Sequence, residues 1–158
     1  MSLPRNGPAI YKFGGTSLAN SHRLAGVAGL VADAVRPPLV VVSATGNTTD
    51  RLAVLLEAAP EARPALLDQI LGAHRELLHG LEANEALGGE LARCGEAAGF
   101  GLAELQDPRT QARGRDRILS LGEDLSVWAL TAALRGRGVP AEPVDARTVI
   151  RTDRAFGQ

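Results

Sequence analysis

The sequence has little cysteine, few aromatic residues and no long apolar run, and each of these shortages excludes a class of protein. Its one cysteine, Cys94, cannot form a disulfide within the chain, which favours a reducing, cytoplasmic setting and a buried, inert thiol. Aromatic residues make up 3% of the chain and hydrophobic residues 45%, so we expect a sizeable core of Leu, Val, Ile and Ala. No segment is apolar for long enough to cross a bilayer.

The charge balance and the first residues of the chain argue against nucleic-acid binding, membrane binding and secretion. A formal net charge of -1 lacks the basic excess that nucleic acids and anionic membranes attract, so we expect neither as a partner. Residues 1–8 lack the apolar middle of a secretory signal, and we predict a flexible leader there. Residues 9–158 are then the folded part, about the size of one domain.

Lysine is the scarcest basic residue, and its position is informative. The only lysine, Lys12, lies in residues 11–17, which read YKFGGTS. A lysine ammonium is a compact charge suited to a phosphate oxygen, and paired glycines let backbone N–H groups approach an anion. Thr16 and Ser17 add hydroxyl groups. The spacing matches neither G-x-x-x-x-G-K-[ST] nor G-x-G-x-x-G, and a plain strand-to-helix turn with an incidental lysine is equally compatible with the residues.

Apolar periodicity predicts an α/β fold, a three-layer αβα sandwich with a mainly parallel sheet that is incomplete. The run at 39–43 is continuous and β-branched, as is typical of a strand covered on both faces. The predicted strands lie at 9–13, 39–43 and 140–145. The predicted helices run from Asn20 or Ser21 to about Val35, from Asp50 onward, through most of 61–106 with breaks near Gly80, Gly88–Gly89 and Gly99–Gly101, and from about Arg115 to Arg135, ending at 136–138.

A second polar loop, residues 43–50, follows the second strand and is rich in hydroxyl groups. If the first two strands are neighbours in a parallel sheet, both loops open on the same edge, where α/β proteins bind ligands. An ordinary loop in which Thr49 or Asp50 caps the next helix is the alternative interpretation.

Glu123 is the acidic candidate of the long helix. At helical spacing it shares a face with Val127, Leu130 and Leu134, and a carboxylate in line with apolar residues is costly unless it has a partner or a role. Taken alone, the position favours a capping or salt-bridged glutamate over a functional one. Weaker candidates are two histidines that do not form a metal pair, a core tryptophan and a turn-forming aspartate: His74, His79, Trp128 and Asp145.

Taken together and in this order, these motifs resemble the aspartokinases of the amino-acid kinase superfamily. Residues 12–17 are similar to the opening signature, residues 42–52 to the second strand and loop, and residues 120–126 to a Ser-x-Gly-Glu helix motif. The segment from Gly138 to Gly157 resembles the next stretch of that family's kinase domain. The resemblance covers nearly the whole chain from Tyr11 onward.

The resemblance implies transfer of the γ-phosphoryl group of ATP to the side-chain carboxylate of L-aspartate, the first step towards lysine, threonine, methionine and diaminopimelate. It implies that Lys12 is catalytic and neutralises charge on the phosphoryl group. Thr49 and Glu123 match positions that bind aspartate, with Thr48 open as the alternative to Thr49. The implied phosphate- and nucleotide-binding set is Lys12, Phe13, Gly14, Gly15, Ser17 and Ser43.

The implied cofactor of the complete enzyme is ATP with Mg²⁺, and the implied partners are L-aspartate and ATP. The family continues into a half that holds the nucleotide and into regulatory domains, neither of which this sequence contains. We therefore expect the amino-terminal portion of a kinase domain that is inactive by itself. We also expect it to self-associate into a homo-oligomer, through an unpaired sheet edge or through the helices. A truncated, non-catalytic paralogue that binds a small anion or a partner is the alternative.

Overall fold

The computed structural model of the chain describes residues 7, 9–79, 81 and 86–150. Apart from Gly7, the predicted leader lies outside these residues, as do the predicted break at Gly80 and the part of the family resemblance beyond residue 150. The first two predicted strands are confirmed as β1 (Ile10–Phe13) and β2 (Leu39–Val42). They pair in parallel, with Ile10 opposite Leu39 and Phe13 opposite Val42, so their carboxyl ends lie side by side.

The helices occupy most of the remaining described chain. Asn20 caps α1, since its side chain accepts a hydrogen bond from the backbone N–H of Arg23 at 2.9 Å. Gly138, with φ of 73°, follows the end of α5 where the sequence predicted a stop. The helices are α1 (Ser21–Ala32), α2 (Thr48–Glu57), α3 (Arg63–His79), α4 (Ala86–Glu104), α5 (Gln111–Gly136) and α6 (Ala146–Val149), with 3-10 turns at Gly15–Leu18 and Pro60–Ala62.

Helix α5 is the structural centre, because it contributes to both hydrophobic clusters. Its first half packs Ile118, Leu121 and Leu125 against α2, α3 and α4. Its second half packs Leu130 and Leu134 against α1 and the sheet. The predicted aliphatic core is thus confirmed. None of the described helices is long and apolar enough to cross a membrane.

The two faces of the sheet differ. Tyr11, Phe13 and the alternate residues of β2 pack towards α1 and α5. Lys12 lies on the opposite face, together with Ile10 and Val41, which are 67% and 45% exposed. Within the described residues β2 is therefore covered on one face only, whereas its apolar run predicted cover on both.

The predicted third strand and the predicted breaks in α4 are wrong. Residues 140–145 form no strand; Pro140 and Pro143 lack the N–H donors that a ladder needs, and Arg135 Nε holds the segment by donating to the Ala141 carbonyl at 2.9 Å.

The second error concerns the glycines of α4, which runs without a break through 88–89 and 99–101. Gly101 serves close helix packing, because a Cβ there would lie 3.0 Å from Ile118 Cδ1 on α5. Gly114 of α5 faces the Gly101 carbonyl in the same contact, where an added Cβ would lie 2.8 Å from that oxygen.

Candidate functional site

Two loops meet at the carboxyl ends of the strands, as the parallel pairing predicted. The backbone N–H of Ser43 donates to the Phe13 carbonyl at 3.1 Å, and that of Gly46 donates to the Gly15 carbonyl at 2.9 Å. The contact is too close for a side chain, since a Cβ on Gly15 would overlap the Ala44 carbonyl oxygen. Ser43 is thereby placed beside the glycine loop that comes after Lys12.

The first loop offers groups suited to an anion. Lys12 is exposed on the outward face of β1, and no carboxylate among the described residues pairs with its ammonium. Gly14 has ordinary extended backbone angles (φ −80°, ψ 167°) and open space where a Cβ would stand. Ser17 lies half-buried in the 3-10 turn, with its N–H donating to the Gly14 carbonyl at 3.0 Å.

Helix α5 brings Glu123 to the second loop. Its Oε1 accepts a hydrogen bond from the backbone N–H of Ala44 at 3.2 Å. Gly122 makes this approach possible, because a Cβ there would lie 2.7 Å from the Ala44 Cβ. The side chain is exposed, so the expected cost of burying it among apolar residues does not arise. Its partner is a backbone amide, and neither a helix cap nor an ion pair holds it among the described residues.

The two adjacent threonines of α2 have different environments. Thr48 is buried, and its hydroxyl donates to the Thr45 carbonyl at 2.6 Å. Thr49 is exposed. The N-cap position belongs to Asn47, so the prediction that Thr49 or Asp50 caps this helix is wrong. Of the two hydroxyls, that of Thr49 is the one accessible to a ligand.

A buried hydroxyl pair, which sequence reasoning missed, joins the second loop to α5. Thr45 Oγ1 and Ser126 Oγ lie 2.7 Å apart, and Ser126 Oγ donates to the Gly122 carbonyl at 2.9 Å. The only signal in the sequence is that Ser126 follows Gly122 by about one helical turn. Nothing local links it to Thr45, which is 81 positions away.

Sequence reasoning also missed an arginine on the short helix α6. Arg147 Nη2 donates to both carboxylate oxygens of Asp124, at 2.9 and 3.0 Å, and Arg147 Nη1 donates to Ser120 Oγ at 3.2 Å. Burial raises the pKa of Asp124, although Arg147 opposes the shift. Asp145 caps α6, as its turn-forming character predicted, and the hydrogen bond from Arg147 lowers its pKa.

Two other titratable groups are buried in the helical core. His74 is 4% exposed, with Nδ1 at 2.9 Å from the Ile70 carbonyl, and burial lowers its pKa. Burial raises the pKa of Cys94 to about 11, which agrees with the predicted inert thiol. Among the residues that the structure describes, no group of three or more His, Cys, Asp or Glu side chains is placed to hold a metal ion.

The sequence matches the model of the Amino acid kinase family over residues 8–156. It is 33% identical to an aspartokinase of Chlamydia pneumoniae over 93% of this chain and 32% of that protein. It is likewise 33% identical to the lysine-sensitive aspartokinase 3 of Escherichia coli K12, over 94% of this chain and 33% of that protein. The chain thus spans about a third of the length of these relatives.

Solved structures give the same result. Two crystal structures of E. coli aspartokinase III, one with lysine and aspartate in the T-state and one with aspartate and ADP in the R-state, each match with a TM-score of 0.82. In both, identity is 31%, and the match covers 96% of this chain and 34% of the other. The predicted α/β fold class is therefore confirmed. With a family match over nearly its whole length, the chain belongs to the amino acid kinase family.

Proposed function

We propose that this chain is the amino-terminal portion of an aspartokinase and forms the phosphoryl and aspartate side of its active site. The complete enzyme transfers the γ-phosphoryl group of ATP to the side-chain carboxylate of L-aspartate, which gives 4-phospho-L-aspartate. The observation that carries the proposal is the hydrogen bond from Ala44 to Glu123, because it places a carboxylate at the loops that come after Lys12 and Val42. The similarity to aspartokinases over nearly the whole chain supports it.

The phosphoryl group binds at the first loop in this proposal. Lys12 supplies the positive charge, and its lack of a carboxylate partner among the described residues leaves it available. Gly14 and Gly15 supply backbone N–H donors, and the open space above Gly14 leaves room for an oxygen. Ser17 and Ser43 add hydroxyl groups at the same strand ends. Phe13 contributes backbone only, since its ring packs inward, edge-on to Tyr11.

The aspartate binds through one hydrogen-bond acceptor and one hydrogen-bond donor of this chain. The Glu123 carboxylate faces the α-ammonium of L-aspartate, and the exposed Thr49 hydroxyl donates to a carboxylate oxygen. Thr48 is not proposed, because its hydroxyl is buried and already donates to Thr45. The aspartate half of the site thus carries the negative charge of Glu123, and the phosphoryl half carries the positive charge of Lys12.

In the reaction, an oxygen of the aspartate side chain attacks the γ-phosphorus, the new P–O bond forms, and the bond to the ADP oxygen breaks. Negative charge spreads over the three equatorial oxygens, and Lys12 with the glycine N–H groups stabilises it. Mg²⁺ bound to ATP supplies further neutralisation of the phosphates. The described residues offer no carboxylate cluster for that ion, so we place its contacts on the nucleotide and on the rest of the enzyme.

We further propose a cytoplasmic homo-oligomer. Among the described residues the sheet has only two strands, so its edges are unpaired, and an unpaired edge favours association. Light scattering at rising protein concentration measures it. A monomer throughout the concentration range contradicts the proposal.

The decisive test is an ATP-coupled assay of aspartate phosphorylation in a version of the protein that includes the rest of the kinase domain. Lys12→Ala is expected to lower kcat by at least about 100-fold, the usual loss when a group that stabilises transition-state charge is removed. Lys12→Arg keeps the charge and tests whether the compact ammonium matters. The 158-residue chain alone is expected to turn over poorly or not at all. Normal turnover by the longer Lys12→Ala protein contradicts the assigned role.

A further inference from the structure

The hydroxyl pair between the second loop and α5 has a defined direction. Ser126 has one hydroxyl proton, and the Gly122 carbonyl oxygen, 2.9 Å from Ser126 Oγ, can only accept it. Thr45 must then be the donor across the 2.7 Å contact, with Ser126 Oγ as acceptor. Both residues are buried, at 7% and 0% exposed, so water does not compete for these bonds.

The same short stretch of α5 touches the loop at consecutive points. Gly122 lies against Ala44 and Thr48, Glu123 accepts from the Ala44 N–H, and Ser126 accepts from Thr45. The loop also donates from Gly46 to the first glycine loop. Of the two hydrogen bonds described between this loop and α5, the hydroxyl pair is the buried one, and it lies one residue from Ala44.

We propose that Thr45 and Ser126 are positioning residues of the aspartate site. This inference rests on the proposed function. The hydroxyl pair fixes the 44–48 backbone against α5, so that the Ala44 N–H holds the Glu123 carboxylate in one orientation. Neither residue touches substrate; both act through Ala44 and Glu123.

The 158-residue chain itself provides the test. Three properties are measured for each variant: amide hydrogen exchange of Ala44 and Gly46, the free energy of unfolding, and the affinity for L-aspartate by NMR titration. Thr45→Val removes the hydroxyl at nearly constant volume, and Thr45→Ser restores it. Thr131→Val is the matched control, because Thr131 is another buried threonine hydroxyl, on α5 itself.

We expect Thr45→Val to speed exchange at both loop amides by about fivefold beyond any change in Thr131→Val, which corresponds to the loss of one hydrogen bond. Affinity for L-aspartate is expected to fall by a similar factor, whereas Thr45→Ser retains both properties. Ser126→Ala is expected to have the larger effect, because it leaves the Thr45 proton without an acceptor.

The outcomes separate this inference from the proposed function. Loop exchange and aspartate affinity in Thr45→Val that match the Thr131→Val control overturn the inference while the function stands. Faster exchange with unchanged affinity also overturns it, since the loop then does not position the site. Absence of aspartate binding by the unsubstituted chain counts against the proposed function, and it overturns this inference as well.

Discussion

Substitution of Gly15 by alanine tests the close contact between the two loops. A Cβ at this position overlaps the Ala44 carbonyl oxygen and lies 3.3 Å from the Gly46 carbonyl oxygen. Both are backbone atoms, so no side-chain rotation relieves the clash. Gly15 is not in the left-handed region, where the described chain has only Gly46 and Gly138, so the demand here is for space.

The expected cost has three contributions. Overpacking costs about 1–3 kcal/mol, and disturbing the Gly46-to-Gly15 hydrogen bond costs about 0.5–1.5 kcal/mol. The reduced entropy of the unfolded chain returns about 0.4–1 kcal/mol. We therefore expect Gly15→Ala to lower the free energy of unfolding by about 2 kcal/mol. Gly14→Ala is the matched control, because its backbone angles suit alanine and its Cβ meets open space.

Urea denaturation monitored by circular dichroism measures both variants. With an m-value of about 2 kcal/mol/M, Gly15→Ala is expected to lower the midpoint by about 1 M, whereas Gly14→Ala leaves it equal or slightly higher. The difference between two neighbouring glycines isolates the loop contact from general effects of alanine. Equal midpoints for the two variants would refute the contact geometry on which the site is built.

Three further predictions concern buried or strained positions. Burial lowers the pKa of His74, so the unfolded chain binds a proton there more readily than the folded chain does; the contribution of neutral His74 to the free energy of unfolding is complete above about pH 6.5 and is lost as the pH falls below it. Urea denaturation at about pH 5 and pH 7.5 measures this loss, which His74→Leu should reduce. His22→Leu, at an exposed position, is the control and should leave the loss in place. Gly46→Ala should lower the free energy of unfolding by about 1 kcal/mol in the same assay, because φ at Gly46 is 55°. Gly99→Ala, at an exposed position of α4, should raise it by about 0.5 kcal/mol, and the reverse order would refute the left-handed turn. Cys94 should react very slowly with a thiol reagent at pH 8 and quickly in urea, and fast native labelling would contradict its burial and raised pKa of about 11.

Features with a local pattern were predictable from the sequence. The β-branched run at 39–43 and the paired glycines after Phe13 predicted two strands that end in polar loops. The structure confirms both strands and their parallel pairing. Asn20 signalled the start of α1. Proline was underweighted at 140–145, where missing N–H donors prevent a strand.

Features that depend on distant contacts were not predictable. From the local sequence alone, a glycine in a helical pattern predicts a break in the helix. Gly101 instead allows α4 to pack closely on α5, and only the tertiary structure shows that contact. The Thr45–Ser126 contact and the Arg147–Asp124 pair join residues 81 and 23 positions apart. The site roles of Lys12 and Glu123 remain predictions, although the geometry brings Glu123 to the loop as the roles require.

Calorimetric titration of the 158-residue chain with L-aspartate and with MgATP, separately, tests the central claim most directly. We expect weak binding of L-aspartate that is lost in Glu123→Gln and retained in Glu57→Gln, a surface glutamate paired with Arg115, and no measurable binding of MgATP. Absence of aspartate binding, or binding that Glu123→Gln leaves unchanged, would contradict the claim that this chain carries the aspartate side of the site.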